Sequence, residues 1–158
     1  MKRIIKRVSI LVFICTFIFL VSGCDSLKKV HEHCTRVGTL DGGEVDLQYD
    51  IVYRGDRLLS FVGNEKVTSD DSSILDTYET SYKKINKNYE GINYYENKVT
   101  RTSNSVLSYT KIDYKHVDIN RIIELEGADD NIFVDGRASV EKWKEFTKKV
   151  GTKCEVVE

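Results

Sequence analysis

The 158-residue chain has no proline and no excess of basic residues, and both absences restrict what it can be. All nine tyrosines lie beyond residue 23, and a tyrosine-rich, proline-free chain favours β-sheets that are apolar on one face and solvated on the other. Four of the 24 basic residues fall within residues 1–23, so the remaining 135 residues carry 20 basic side chains against 25 acidic ones. This mild negative charge argues against nucleic acid as a partner, and the length suits one domain.

The chain also lacks an apolar stretch long enough to span a bilayer comfortably. Residues 8–21 are apolar apart from Ser9 and Thr16, and 14 residues of helix reach only about 21 Å against roughly 30 Å of hydrocarbon. Four basic residues and no acidic ones precede this stretch. A charged segment followed by a short apolar one predicts an export signal over residues 1–23.

The residues that follow, Val21-Ser22-Gly23-Cys24, resemble the lipobox of bacterial lipoproteins. In those proteins cleavage falls between the residues that correspond to Gly23 and Cys24, and the cysteine thiolate becomes a diacylglyceryl thioether. Two or more fatty chains, such as palmitate, give a lasting anchor. The resemblance implies that Cys24 holds the mature chain at the extracytoplasmic face of a bacterial cell membrane, with membrane lipid and the lipoprotein-processing enzymes as partners. An ordinary signal peptide followed by a chance cysteine is the alternative.

The sequence has only four cysteines, and two of them are accounted for. Cys15 leaves with the leader and Cys24 is the acylation site. Outside the membrane the remaining pair, Cys34 and Cys154, is most simply a disulfide, with two free thiols as the alternative. The bond would close a 120-residue loop, for which chain entropy predicts close to 5 kcal/mol of stabilisation.

The mature chain predicts an α+β domain. Residues 24–33 are polar without a period and indicate a lipid-anchored tether, so we place a single domain at residues 34–158. Strands are expected at 35–40, 44–54 and 57–68, because Asp41-Gly42-Gly43 and Gly55-Asp56 are turn sequences and the segments between them alternate. Within the second strand one face collects the large apolar residues Val45, Leu47, Tyr49, Ile51 and Tyr53. In the third, Leu59 and Phe61 are expected on the face opposite Leu58 and Val62.

A long amphipathic helix is expected over residues 70–90, since apolar side chains recur there every three or four positions. These are Ile74, Tyr78, Tyr82, Ile85 and Tyr89. Gly91 ends this helix. A second hairpin follows, with strands at 92–102 and 106–114 and its turn at 103–105, or alternatively a turn at 96–98.

The C-terminal third predicts two short helices and a last strand. Asp118 caps a helix that ends near Gly127, residues 128–138 are expected to be a loop, and Ser139 caps the second helix. The apolar face of the second helix comprises Val140, Trp143, Phe146 and Val150. A strand at 152–157 returns Cys154 towards Cys34. The predicted fold is an antiparallel sheet of five or six strands, formed by a meander, a hairpin and a C-terminal strand, with helices packed on one face and Trp143 in the core.

Two short motifs resemble a known family. The segment Tyr53-Arg54-Gly55-Asp56-Arg57-Leu58 is similar to the Tyr-Lys-Gly-Asp-Lys-Val turn of the YehR-like family of small bacterial lipoproteins, and Ile112-Asp113-Tyr114 matches its Ile-Asp-Tyr signature. The order of elements agrees over essentially the whole mature chain. The resemblance implies a lipid-anchored α+β domain and no particular chemistry. The sequence departs from the family in its two extra cysteines and its longer 128–138 segment.

His31-Glu32-His33-Cys34 is a candidate metal site, because an extended backbone places His31 and His33 on one side and imidazoles bind transition metals. His116 is a further candidate ligand. The alternative is a tether that happens to contain two histidines, and Cys34 has a better partner in Cys154 than in a metal ion. Arg54-Gly55-Asp56 matches a cell-adhesion tripeptide, but a tight turn requires these residue types for backbone reasons.

Signatures of enzymes are absent from the sequence: it contains no Gly-x-Ser-x-Gly, no phosphate-binding glycine loop and no His-Glu-x-x-His. Scattered carboxylates are interpreted as helix caps or solvated surface; they are Asp113, Asp118, Asp129 and Asp130. We therefore expect a non-catalytic binding or interaction module without a cofactor, whose ligand is an unknown protein or small molecule, with metal binding through His31 and His33 as the alternative. Exposed Tyr94 and Tyr95 would favour an interaction surface, and a deep pocket would favour an envelope enzyme.

Overall fold

The computed structural model describes residues 28–127 and 131–157. The predicted signal peptide, its cleavage site, Gly23 and Cys24 lie outside the described residues, as do Asp129 and Asp130. Within the part that is described, no helix has the length and apolar character needed to cross a membrane.

A six-stranded antiparallel sheet forms the body of the described chain. Its strands are β1 (Lys29–Leu40), β2 (Gly43–Arg54), β3 (Arg57–Thr68), β4 (Tyr95–Arg101), β5 (Ser105–Asp113) and, at the C-terminus, β8 (Lys153–Val157). The strand order is β4-β5-β3-β2-β1-β8, so the meander forms the middle and the first and last segments of the domain pair with each other. The predicted α+β architecture, six strands included, is confirmed. So is the hairpin turn after Arg101; the alternative turn at 96–98 is wrong, because those residues lie within β4.

The first strand begins at Lys29, so residues 29–33 belong to the folded domain. The predicted tether over residues 24–33 and the predicted domain start at residue 34 are wrong for this segment. This segment pairs with β2 along its whole length, from Lys29 opposite Arg54 onwards. The alternation of apolar and polar residues typical of a strand is not visible in this segment of the sequence, because an inward position is occupied by the charged residue Glu32, which is only 5% exposed.

Three helices cover one face of the sheet in the described chain: α1 (Ser72–Asn88), α2 (Ile119–Glu126) and α3 (Val140–Lys149). The predicted caps are found at α2 and α3, where the side chains of Asp118 and Ser139 accept from the amides of Arg121 and Lys142. α1 is capped by Asp71, whose carboxylate accepts from the Ser73 amide at 2.8 Å. The opposite face of the sheet carries no helix in this part of the chain.

The core lies between the helices and the sheet. Trp143 is 5% exposed, as predicted, and its ring contacts those of Tyr49 and Phe61 edge-on at centroid distances of 5.7 and 5.2 Å. Gly63 lies opposite Tyr49 in the sheet, and a Cβ there would come within 2.6 Å of the Phe61 ring. The missing side chain at Gly63 therefore makes room for the aromatic cluster.

A β-bulge changes the predicted facing of β3. Val52 pairs with Ser60 but Tyr53 pairs with Leu58, so Leu59 is an extra residue on that strand. Leu58 therefore lies on the Phe61 side, inside the core, rather than opposite it.

The buried face of α1 is centred on Leu75 and Tyr82, which lie seven residues apart. Ile85 is 52% exposed, so its predicted place on this face is wrong. It lies about 60° around the helix from Tyr82 and therefore falls at the solvated rim. In α3, similarly, Phe146 is 43% exposed while Thr147 is buried.

The predicted loop at 128–138 contains a small hairpin in its described part, with β6 (Phe133–Val134) and β7 (Arg137–Ala138) joined by Asp135-Gly136. Both turn residues have positive φ, 49° and 71°. Asp-Gly is a favoured pair for such a two-residue turn, so the sequence carried a hairpin signal that the loop prediction overlooked.

Candidate functional site

Alternation along β1 divides the predicted metal motif between the two faces of the sheet. His31 and His33 lie on the face without a helix, whereas Glu32 and Cys34 face α3 and the core. This division separates two candidate sites that the sequence presents as one run of four residues.

On the open face, one carboxylate lies between the two histidines. Asp50 of β2 is directly opposite His33, and its Oδ1 lies 2.8 Å from His33 Nδ1 and 3.7 Å from His31 Nε2. The side chains of His31, His33 and Asp50 are 43%, 31% and 38% exposed. The three groups converge on a partly covered surface that solvent and ions can reach.

A second carboxylate flanks the histidines from the other side. β8 pairs with β1 so that Glu155 is the cross-strand neighbour of His33, on the same face as Asp50. Directly opposed residues have Cβ atoms about 5 Å apart. His33 therefore lies in a row between two acidic residues.

Two imidazoles with one or two carboxylates form a ligand set that zinc and related divalent ions accept. His31, His33 and Asp50 have side chains of the types that bind such an ion, and Glu155 is a fourth such residue on the same face. Their ligand atoms do not all lie within 4.8 Å of one another, so an ion would draw them together by side-chain rotation. The same contacts also form a surface ion pair when the imidazole is protonated, and exposed pairs of this kind contribute little to stability.

The predicted third histidine does not join this group. His116 follows β5, which is separated from β1 by β3 and β2, a distance of about 14 Å across the sheet. Its Nδ1 lies 2.8 Å from Asp113 Oδ2, and this hydrogen bond lowers the pKa of the Asp113 carboxyl. Tyr94 contacts the His116 ring and is 58% exposed.

On the helix-covered face, Cys34 and Cys154 lie directly opposite each other on β1 and β8, with their sulfur atoms at the bonding distance of 2.12 Å. This is the pairing that the sequence predicts. Glu32, two residues earlier on the same face, accepts a hydrogen bond from the Tyr53 hydroxyl at 3.1 Å. Its carboxylate also lies 3.3 Å from Lys144 Nζ. Burial of Lys144 lowers its pKa, but hydrogen bonds to Tyr53 and Glu32 outweigh this and raise it.

The adhesion-like tripeptide has a structural role in which its carboxylate is engaged. Asp56 accepts hydrogen bonds from the Ser139 hydroxyl and from the Glu141 amide at 2.9 Å, so it helps to cap α3. Between this hairpin tip and α3 lies a groove of about 540 Å³, lined in part by Tyr53, Asp56 and Lys144.

The two tyrosines expected at the surface differ in their exposure. Tyr94 is exposed, but Tyr95 stacks on Tyr89 with ring centroids 4.6 Å apart.

Three residues of these sites were missed by sequence reasoning. Asp50 and Lys144 are distant in the chain from the groups that they meet, and Glu155, although it follows Cys154, is far in the chain from His33. Nothing local marks any of the three. They would follow only from the register of β1 with its two neighbours and from the placement of α3.

No protein-family model and no curated protein matches the sequence. Solved structures do match the fold. The NMR structure of YehR from Escherichia coli has a TM-score of 0.54 and 20% identity, covering 81% of this chain and 93% of YehR. An NMR structure of a Streptococcus pneumoniae TIGR4 protein has a TM-score of 0.47 and 13% identity, covering 81% of this chain and 86% of that one. The described domain has a YehR-like fold.

Proposed function

We propose that the chain is an extracytoplasmic bacterial lipoprotein that acts as a non-catalytic binding module, and that its ligand is a divalent transition-metal ion such as zinc. The observation that carries the proposal is the convergence of His31, His33 and the single oxygen Oδ1 of Asp50. Of the two ligand classes expected from the sequence, we favour metal ions, because imidazole and carboxylate side chains are ligands of divalent transition metals.

The anchor and the metal site are close in the chain. His31 is seven positions after Cys24, and seven extended residues span at most about 25 Å. Acylation of Cys24 would thus hold the ligands near the outer surface of the bilayer. A site in this position can collect or retain ions at the membrane without carrying out a reaction.

The proposal includes that the protein is not an enzyme. It is supported by the sequence, which contains none of the enzyme motifs considered above. The grouped side chains also suit binding better than reaction, because both histidines contact the same carboxylate. A metal held by His31, His33 and Asp50, with Glu155 beside it, would have most of its positions filled by protein.

Anchoring is tested by mass spectrometry of the membrane fraction. We expect a mature N-terminus at Cys24 that carries acyl chains, and we expect Cys24→Ala to release the chain from the membrane. An intact leader, or an unmodified Cys24 at the mature N-terminus, would contradict this part of the proposal.

Metal binding is tested by zinc calorimetry on the full-length, oxidised protein in detergent. One ion should bind each chain, and His31→Ala, His33→Ala or Asp50→Ala should each weaken binding about tenfold or more. The matched control is His116→Ala, since His116 is also paired with an aspartate but lacks a second histidine. Equal losses in His33→Ala and His116→Ala, or no binding by the parent, would contradict the proposal.

A further inference from the structure

The disulfide and its buried neighbour form a second cluster of metal-binding side chains. Glu32, Cys34 and Cys154 offer ligand atoms that all lie within 4.8 Å of one another. We propose that reduction of the disulfide converts this cluster into a thiolate site for one zinc-like divalent ion. This second site is separate from the one formed by His31, His33 and Asp50 on the opposite face.

The sheet holds the three ligands in place whether or not the disulfide is present. Cys34 and Cys154 are directly opposed in the ladder between β1 and β8, and Glu32 lies two residues along the same face. The sulfurs of a tetrahedral zinc site are about 3.8 Å apart. Side-chain rotation at two facing strand positions can supply this separation after the bond is broken, while the backbone pairing is kept.

Charge balance favours an ion at this point. Glu32 has a side chain that is only 7% exposed, and Lys144 Nζ lies 3.3 Å from it. With both cysteines ionised, the cluster carries three negative charges, which one divalent ion and the Lys144 ammonium neutralise. Buried charges are tolerated when they are paired in this way or coordinate a metal.

The disulfide lies where a reductant can reach one side of it. β8 is an edge strand, and Cys154 is exposed along with Val156, which is 67% exposed. Cys34 is completely buried. Exposed disulfides are the more readily reduced ones, so Cys154 is the sulfur that an incoming thiol would attack.

The reaction balances with a dithiol as reductant. One thiolate of the dithiol bonds to Cys154 Sγ and the Cys34 sulfur leaves, taking a proton. The second thiol of the reductant then bonds to the first, which releases Cys154 and oxidises the dithiol to its own disulfide. The protein gains two electrons and two protons, and binding of a divalent ion returns the two thiol protons to solvent. Water or another small ligand takes the fourth position.

The test uses the full-length His31→Ala/His33→Ala variant, in which the proposed histidine site is disabled. Cobalt(II) is titrated into the oxidised protein and into protein reduced with a phosphine, which does not compete strongly for the metal as a dithiol would. We expect one cobalt per chain, with a thiolate-to-cobalt charge-transfer band, after reduction only. Adding Glu32→Gln should weaken this binding about tenfold or more, and Cys34→Ser should abolish the band.

Four results would overturn the inference. They are a charge-transfer band of equal strength in the oxidised protein, the absence of a band after reduction, unchanged affinity in Glu32→Gln, and loss of the sheet signal in circular dichroism on reduction. Loss of the sheet signal would overturn the inference because strands that are no longer paired do not bring the three ligands together. Since the histidine site is removed throughout, these results are independent of the zinc calorimetry proposed above.

Discussion

Asp56, at the tip of the β2–β3 hairpin, caps helix α3 through Ser139, a residue 83 positions further along the chain. Both carboxylate oxygens of Asp56 lie 3.1 Å from the Ser139 hydroxyl, and one also accepts from the Glu141 amide. This contact fixes the start of α3 against the meander. One turn later the same helix places Lys144 over the Tyr53 ring and beside Glu32.

Replacing Asp56 with alanine should lower the free energy of unfolding by about 2 kcal/mol, because the change removes a charged helix cap and its hydrogen bonds. Urea denaturation measures the loss. The control is Asp41→Ala at the other hairpin of the meander, where the exposed side chain should be replaceable at a cost below about 0.5 kcal/mol. Equal costs at the two turns would show that Asp56 has no special part in holding α3.

Trp143→Ala should cost about 3–5 kcal/mol, since the indole fills the space between Tyr49 and Phe61 and its removal leaves a cavity. Phe146→Ala, on the same helix but 43% exposed, should cost much less. Chemical denaturation of both variants gives the comparison. A Trp143→Ala cost below 1 kcal/mol would place the tryptophan outside the core.

Removing the disulfide with Cys34→Ser/Cys154→Ser should lower the free energy of unfolding by about 5 kcal/mol in the chain-entropy limit, because the bond closes a 120-residue loop. Phosphine reduction of the parent should give the same loss in urea denaturation. Thiol titration of the unreduced, denatured mature protein should detect neither Cys34 nor Cys154. Detection of both would establish the free-thiol alternative.

Partly buried tyrosines should make the domain lose stability at alkaline pH. Burial, with the charge of Glu65, raises the pKa of Tyr49 to about 12, and burial, with the charge of Glu126, raises that of Tyr95 to about 12. An unfolded chain releases these protons near pH 10. The folded state therefore keeps protons that the unfolded state loses, so this stabilisation is complete below about pH 10 and declines as pH rises towards about 12.

Phenolate absorbance during a pH titration measures this effect. In the folded protein part of the tyrosine signal should appear only near pH 12, whereas in concentrated urea all of it should appear near pH 10. A folded protein whose tyrosines all titrate near pH 10 would contradict the partial burial of Tyr49 and Tyr95.

The fold could be predicted largely from local patterns. Alternation marked β2, and Asp118 and Ser139 marked the starts of α2 and α3, because these signals depend on a few adjacent residues. The hairpin at Asp135-Gly136 had a local signal that was overlooked, and the other errors occurred where tertiary contacts override the local pattern. Glu32 faces inward because Lys144 and Tyr53 provide partners for its charge, and no local signal in β1 reveals them.

The candidate site was only half predictable. The two-residue spacing of His31 and His33 is enough to place both on one face of a strand. Asp50 and Glu155 join them through strand register, and register depends on the whole length of the β1–β2 and β1–β8 ladders. The capping role of Asp56 was missed for the same reason, since a turn sequence explains Asp locally and conceals its distant partner.

Anomalous X-ray diffraction at the zinc absorption edge, from crystals of the oxidised protein grown with zinc, tests the proposed site most directly. The account predicts an anomalous peak on the open face of the sheet, about 2.0–2.2 Å from a nitrogen of His31, a nitrogen of His33 and an oxygen of Asp50. A map with no peak there, or with zinc bound only beside His116 and Asp113, would contradict it.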